Sequence, residues 1–479
     1  MPALTSVPVS ALPYERFADV LGPDRFAQFR VAADRARRML DGRVVWNVNS
    51  TARGGGVAEM LVSLLAYARG AGINARWEVI SGNDPFFALT KRIHNNLHSA
   101  DGDGGDLGET EHRIYEDALA ANVAEFADMV AAEDVVIVHD PQPAGLIPML
   151  KERVGCAVIW RCHVGIDEPS ELSRRAWNFL IPYVENADAY VFSRKMFVWE
   201  GLESSKVEII APVIDAFSAK NQDLSPDQVG GILAATGLQR DGGGDPTFLR
   251  EDGSPERVVR PTEVFEGRSL EGSDPVVLQV SRWDRLKDPI GVIRGFVEDI
   301  APATSAHLVY AGPAVEAVAD DPEGKDVLGE ATSYFDGLPP EAKERVHLAC
   351  LPMEDLEENA AIVNALQRRA NVVVQKSIAE GFGLTVAEGM WKARPVVASR
   401  IGGIQDQIVD GETGILLDDP TDVAAYGAAT RALLEDPDRA HRIGRAAQAR
   451  VRDEFLAVRS LMQYINLIEK LLKGGGTGD

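Results

Sequence analysis

Residues 371–392 limit what this chain can fold into more than any other stretch. Residues 371–374 are an apolar run that reads as a buried strand, Glu380-Gly381-Phe382-Gly383 is a turn with two glycines, and about 384–392 reads as a helix. A strand passing through a glycine turn into a helix is the repeating piece of parallel α/β sheets. It gathers backbone N–H groups and the positive end of a helix dipole at one place, which suits a phosphate. Glu380 sits in the turn. Glu388 lies about one turn into the helix, where side chains lean back toward the N-terminus. Two carboxylates do not suit phosphate binding alone; they suit hydrogen bonds to the hydroxyls of a sugar and a ribose on either side of it. The plain alternative is an ordinary glycine turn followed by a solvated glutamate.

The pattern occurs again near the start. Residues 43–49 read as a buried strand, and Ser50-Thr-Ala-Arg-Gly-Gly-Gly-Val-Ala-Glu59 carries three glycines into a helix over 57–69. The spacing is not the GxGxxG of dinucleotide folds, and no Gly-Lys-Ser/Thr follows as in a P-loop. Strands over 75–80, 134–138, 157–161, 189–193 and 207–210 alternate with helices, which predicts a doubly wound parallel sheet. Ligands of such sheets sit beyond the carboxyl ends of the strands, and His139, Asp140, His163 and Asp167 all fall there. One histidine at a strand end is usually a hydrogen-bonded structural residue. Two histidines and two aspartates at neighbouring ends favour a functional role, and their spacing matches no metal-ligand pattern. Asp101-Gly-Asp-Gly-Gly-Asp106 lacks the spacing and bidentate glutamate of an EF-hand and reads as a solvated loop.

At 479 residues the chain is too long for one core. The expected division is a Rossmann-like domain over 1–214 with an N-terminal helical extension, an insertion or linker over 215–272, and a second Rossmann-like domain over 273–454. Residues 455–479 are expected as a C-terminal helix, packed back on the first domain, and a disordered tail. The 215–272 stretch is polar and full of turn signals, and only 224–238 looks helical. A net charge of −24 argues against nucleic acid or anionic membrane as a partner. Three cysteines without CxxC spacing argue for a reducing compartment and against a disulfide framework or a zinc site. With no secretion leader and no 18-residue apolar run, a cytoplasmic location is expected.

An anionic ligand on so acidic a protein needs local cations. A strand over 275–280 runs into Ser281-Arg-Trp-Asp-Arg-Leu-Lys-Asp-Pro289 and a helix over 290–296. Arg282 and Lys287 precede that helix and suit a phosphate, or else form a surface cluster with Asp284 and Asp288. Strands over 306–311, 346–348 and 395–398 complete a second parallel sheet.

With Arg282, Lys287, Glu380 and Glu388 in view, the chain resembles the retaining GT-B glycosyltransferases of family 4, whose signature is E-x7-E with an Arg/Lys pair upstream. Trp46-Asn-Val-Asn-Ser-Thr51, Gly54-Gly-Gly-Val-Ala-Glu59, Trp77-Glu-Val-Ile80, His139-Asp-Pro-Gln-Pro143 and Trp160-Arg-Cys-His163 resemble the trehalose glycosyltransferring synthases within it. The resemblance implies two Rossmann-like domains facing each other across a cleft. It implies transfer of glucose from a nucleoside-diphosphate glucose (ADP-, UDP- or GDP-glucose) to free glucose. Arg282 and Lys287 would hold the diphosphate, helped by the N–H groups of Gly383 and Leu384. Gly381, Phe382 and Thr385 would line the donor site. Glu388 would accept the ribose hydroxyls and Glu380 those of the transferred glucose. His163 would stand near the sugar, Gly55 and Gly56 would let the first-domain loop approach it, and Asp140 would hold the acceptor.

No cofactor is implied as required. Mg²⁺ is left open, with no Asp-x-Asp motif where a metal-dependent transferase would need one, and so is a homodimer. The chain departs from the family at the insertion and at Gly389, where alanine is usual and glycine costs the helix about 1 kcal/mol. Two other readings stand beside this one. Retaining trehalose phosphorylases share the resemblance, but a ribose-binding carboxylate at Glu388 has no task there. A non-catalytic sugar-binding protein would be expected to have lost Arg282, Lys287 or Glu380.

Overall fold

The computed structural model describes residues 3–52, 56–315 and 322–474. Gly55 and the tail over 475–479 lie outside them. The chain forms two compact units, residues 1–213 with 457–479, and residues 214–456.

The first unit is built on β1 (Leu4–Val7), β2 (Val45–Asn49), β3 (Ala75–Ile80), β4 (Val135–His139), β5 (Ala157–Cys162), β6 (Ala189–Phe192) and β7 (Val207–Ile209). Their order is β1-β3-β2-β4-β5-β6-β7. The pairs from β3 to β7 are parallel, and β1 runs antiparallel against β3 at the edge. Val135 to Val138 is an unbroken apolar run because both faces of the sheet are covered. Trp46, Val136, Val138 and Trp160 meet one layer of helices, while Val45, Ile137 and Ile159 meet the C-terminal helix Ala457–Gly474. That helix docks through Leu467 and Ile468, each worth about 1.5–3 kcal/mol when fully buried.

In the second unit, β8 (Thr247–Leu249) and β9 (Pro255–Arg257) form a hairpin, and β10 (Glu263–Phe265) pairs antiparallel with residues 348–350. The main sheet adds β11 (Val276–Val280), β12 (His307–Pro313), β13 (Val346–Leu351), β14 (Val372–Gln375), β15 (Val396–Ser399) and β16 (Ile415–Leu417), in the order β10-β13-β12-β11-β14-β15-β16. The stretch expected as a linker, 215–272, is thus part of this unit: its helix Pro226–Ala235 packs on helix Leu356–Arg369, and β10 extends the sheet. Arg260 pairs with the buried Glu358, which also accepts from the N–H groups of Val259 at 2.6 Å and Arg260 at 2.8 Å. The polar, turn-rich composition of 215–272 conceals this attachment, which adds ion pairs and backbone contacts to a few buried apolar side chains, Leu224, Ile232, Leu233, Phe248 and Leu270.

In each sheet the strand order reverses at one place, between β2 and β4 in the first unit and between β11 and β14 in the second. Such a reversal opens a crevice at the carboxyl ends of the two strands, where ligands of these sheets bind. The residues singled out from the sequence leave from these strands and from β5.

Candidate active site

The loops after β11 and β14 are cross-linked. The Ile378 N–H donates to Leu286 O at 2.7 Å and the Lys376 N–H to Gln279 Oε1 at 3.2 Å, while Gln279 Nε2 donates to Lys287 O at 2.8 Å. Lys376, fully buried, pairs with Asp288, which in turn caps the helix Pro289–Gly295 through the Gly291 N–H at 3.0 Å. Lys287 is thereby fixed, and its Nζ stands 2.5 Å from Glu380 Oε2. Arg282 points elsewhere, its side chain 65% exposed and 2.8 Å from Asp284 Oδ2. The structure therefore brings Lys287 to Glu380 and leaves Arg282 in the surface pairing with Asp284.

Gly383 enters helix Leu384–Trp391 in the left-handed region, at φ 77°, and a Cβ there would lie 2.8 Å from Ile404 Cγ1. The first-turn amides of a helix have no intrahelical acceptor, so those of Leu384 and Thr385 are available to an anion. Thr385 Oγ1 donates to Gln375 Oε1 at 3.0 Å, and Phe382 packs on Phe455 with ring centroids 6.0 Å apart. A second loop braces the turn: the Gly403 N–H donates to Gly381 O at 2.8 Å, and Gln407 Nε2 reaches Phe382 O at 2.5 Å.

Glu388 is buried in the same helix. Lys220 Nζ lies 3.7 Å from its Oε1, and Oε2 is buried with no hydrogen-bond partner among the described residues. Gly389 has a packing role that the sequence reading missed: a Cβ there would lie 3.1 Å from Val373 Cγ1, so glycine lets the helix rest close on β14.

In the first unit, β4 and β5 place His139 Nδ1 3.2 Å from His163 Nε2, with the rings stacked at 16°. His139 Nε2 lies 3.0 Å from Asn47 Oδ1. Asp140 has φ 66°, an uncommon conformation for a non-glycine residue, and its Oδ1 accepts from the His163 N–H at 2.8 Å. Burial raises the Asp140 carboxyl to about 7, against the hydrogen bond and the nearby Arg161 charge that lower it. Burial lowers His139 to about 3 and His163 well below the usual imidazole range, both helped by Arg161. Both imidazoles are therefore neutral at physiological pH. Asp167 stands apart, paired with Arg194. Gly56 opens the helix Gly56–Gly70.

Lys220 and Lys376 escaped the sequence reading, and Asn47 and Arg161 stood inside the resembling motifs without a role. Lys376 carried a signal, a lysine directly after the buried strand β14; Lys220 carried none. Among the described residues no group of three or more His, Cys, Asp or Glu is placed to hold a metal ion, and no helix is long and apolar enough to cross a membrane.

Residues 47–199 match the model of the trehalose synthase N-terminal domain, and residues 356–450 that of group 1 glycosyl transferases. The trehalose synthase of Rubrobacter xylanophilus is 36% identical over 95% of this chain and 96% of its own length. The chain belongs to the trehalose synthase family of glycosyltransferases. A trehalose phosphorylase of Pleurotus pulmonarius is 24% identical over 89% of this chain and 57% of its own length. Among solved structures, an α,α-trehalose-phosphate synthase (UDP-forming) from Burkholderia xenovorans, in complex with glucose-6-phosphate, superposes with a TM-score of 0.62. It is 14% identical and is matched over 90% of this chain and 100% of its own. That likeness is one of fold, GT-B, in agreement with the two sheets described above. Family membership makes the chain a glycosyltransferase of trehalose metabolism.

Proposed function

We propose that the chain moves glucose, with retention at the anomeric carbon, from a nucleoside-diphosphate glucose to free glucose, forming α,α-trehalose. The observation that carries the reading is Lys287 held against Glu380 at the mouth of helix Leu384–Trp391, with the unsatisfied Glu388 on the same helix. When the donor binds, Lys287 exchanges Glu380 for the diphosphate, and Glu380 turns to the glucose hydroxyls. As the bond from C1 to the phosphate oxygen breaks, its electron pair leaves with the diphosphate. Lys287, the helix-start amides and Arg282, turned from Asp284 to the diphosphate, offset that charge. The acceptor hydroxyl bonds to C1 on the face the diphosphate leaves, and its proton passes to the departing phosphate oxygen. No carboxylate acts as nucleophile, unlike in retaining glycosidases. His163, neutral, orients the sugar, and Asp140 holds the acceptor. Lys287, Arg282 and the amides carry the charge, so no metal is required.

The second reading is a phosphorylase that splits trehalose with inorganic phosphate. The chain spans 96% of the Rubrobacter synthase and 57% of the Pleurotus phosphorylase, which favours the transferase. The deciding experiment incubates the protein with free glucose and ADP-, UDP- or GDP-glucose, and separately with α-glucose 1-phosphate, with NMR detection of trehalose. Trehalose from glucose 1-phosphate and from no nucleotide sugar would replace the proposal by the second reading.

A further inference from the structure

Lys220 lies in the stretch that opens the second unit, where the sequence reads as linker. Its neighbours are tied down on both sides. Asn364 Nδ2, fully buried, donates to Ala219 O at 3.0 Å and to Gln222 O at 2.9 Å. Trp391 Nε1 donates to Asn221 O at 3.1 Å, and Lys392 Nζ to Asn221 Oδ1 at 2.9 Å. A backbone held at residues 219, 221 and 222 leaves the Lys220 side chain few directions, and the one it takes ends 3.7 Å from Glu388 Oε1.

An ionised carboxylate this deeply buried needs a counter-charge. Lys392 makes no ion pair with it: its Nζ donates to the main-chain oxygen of Glu388 at 3.2 Å, and burial pushes its ammonium well below the usual range, against the Glu388 charge that raises it. Among the described residues, Lys220 is the cation within ion-pair distance of the Glu388 carboxylate.

We propose that Lys220 is a positioning residue for the nucleotide, pairing with Oε1 so that the Glu388 carboxylate is oriented with its remaining acceptor sites toward the ribose hydroxyls. This rests on the assignment of Glu388 to the ribose under the proposed function. The ammonium acts through the carboxylate, at a separation too long for a hydrogen bond, and it distinguishes donors by their sugar hydroxyls rather than by their base.

The test uses the full chain and the nucleotide sugar that supports transfer, with K220M, K220Q, K220R, E388Q and K220M/E388Q. K220M and K220Q are expected to raise the donor KM about 10-fold, with kcat within about twofold and the glucose KM unchanged. K220R restores most of the loss. Titration calorimetry with the nucleoside diphosphate alone shows the same weakening. On the E388Q background, K220M adds less than about twofold, because a residue acting through a partner has nothing left to act on. If E388Q weakens nucleotide binding while neither K220M nor K220Q does, the role of Lys220 is overturned and the ribose assignment survives. A K220M effect that persists in full on E388Q also overturns it, since Lys220 would then act on the donor directly. Should E388Q leave nucleotide binding untouched, the ribose assignment falls and the role of Lys220 with it.

Discussion

Lys287 and Glu380 stand 93 residues apart in the chain and 2.5 Å apart in space, each side chain 14% exposed. Removing one partner strands the other charge, so K287M and E380Q should each lower stability by on the order of 1–2 kcal/mol. The double variant should recover most of that loss. Activity should behave otherwise: each single variant, and the double, should lose on the order of 10²–10³ in kcat. Urea melts beside initial rates separate the two effects, and a double variant that regains activity would show the pair to be structural only.

Gly402 braces the turn at 380–383 from outside it. Its φ is 45°, and a Cβ there would lie 1.9 Å from Glu380 O. G402A should displace the turn, costing about 2 kcal/mol or more and raising the donor KM. G243A, at a position with nothing within 4 Å of the added Cβ, is the control. Equal urea midpoints for the two variants would remove the bracing role.

Asp140 gives a pH dependence with a definite sign. Its folded carboxyl is raised to about 7 by burial, above the ordinary value of 3.8. The folded state therefore holds the proton more tightly than the unfolded one, and the associated stability is complete below about pH 4 and lost as pH rises to about 7. D140N has no such titration, so its melting temperature should gain on the wild type across that interval. Parallel melting curves from pH 4 to 7 would contradict the raised value.

Since cations and amides are proposed to carry the leaving-group charge, treatment with EDTA followed by desalting should leave the rate of trehalose formation unchanged. A loss restored by Mg²⁺ would move that charge onto a metal.

Much of the fold was legible because it is local. Val135 to Val138 declares a strand covered on both faces, and the glycine turn at 380–383 declares a strand-to-helix entry, through residues adjacent in the chain. Strands β1 and β10 were not legible. Each is short and lies at an edge, amid prolines or turn signals, and becomes a strand only through the backbone of β3 or β13. Of the candidate residues, Lys287, Glu380 and Glu388 were found by spacing; that Lys287 meets Glu380, and that Lys220 meets Glu388, was not legible.

The sequence by itself determined the two doubly wound sheets and the strand ends at which chemistry can sit, because hydrophobic periodicity and turn geometry act over a few residues. Tertiary structure alone decided which distant charges meet: Lys287 with Glu380, Lys220 with Glu388, Asp167 with Arg194. Ionic contacts form between side chains that folding brings within a few ångströms, whatever their separation along the chain, and these three join residues with no local pattern to link them.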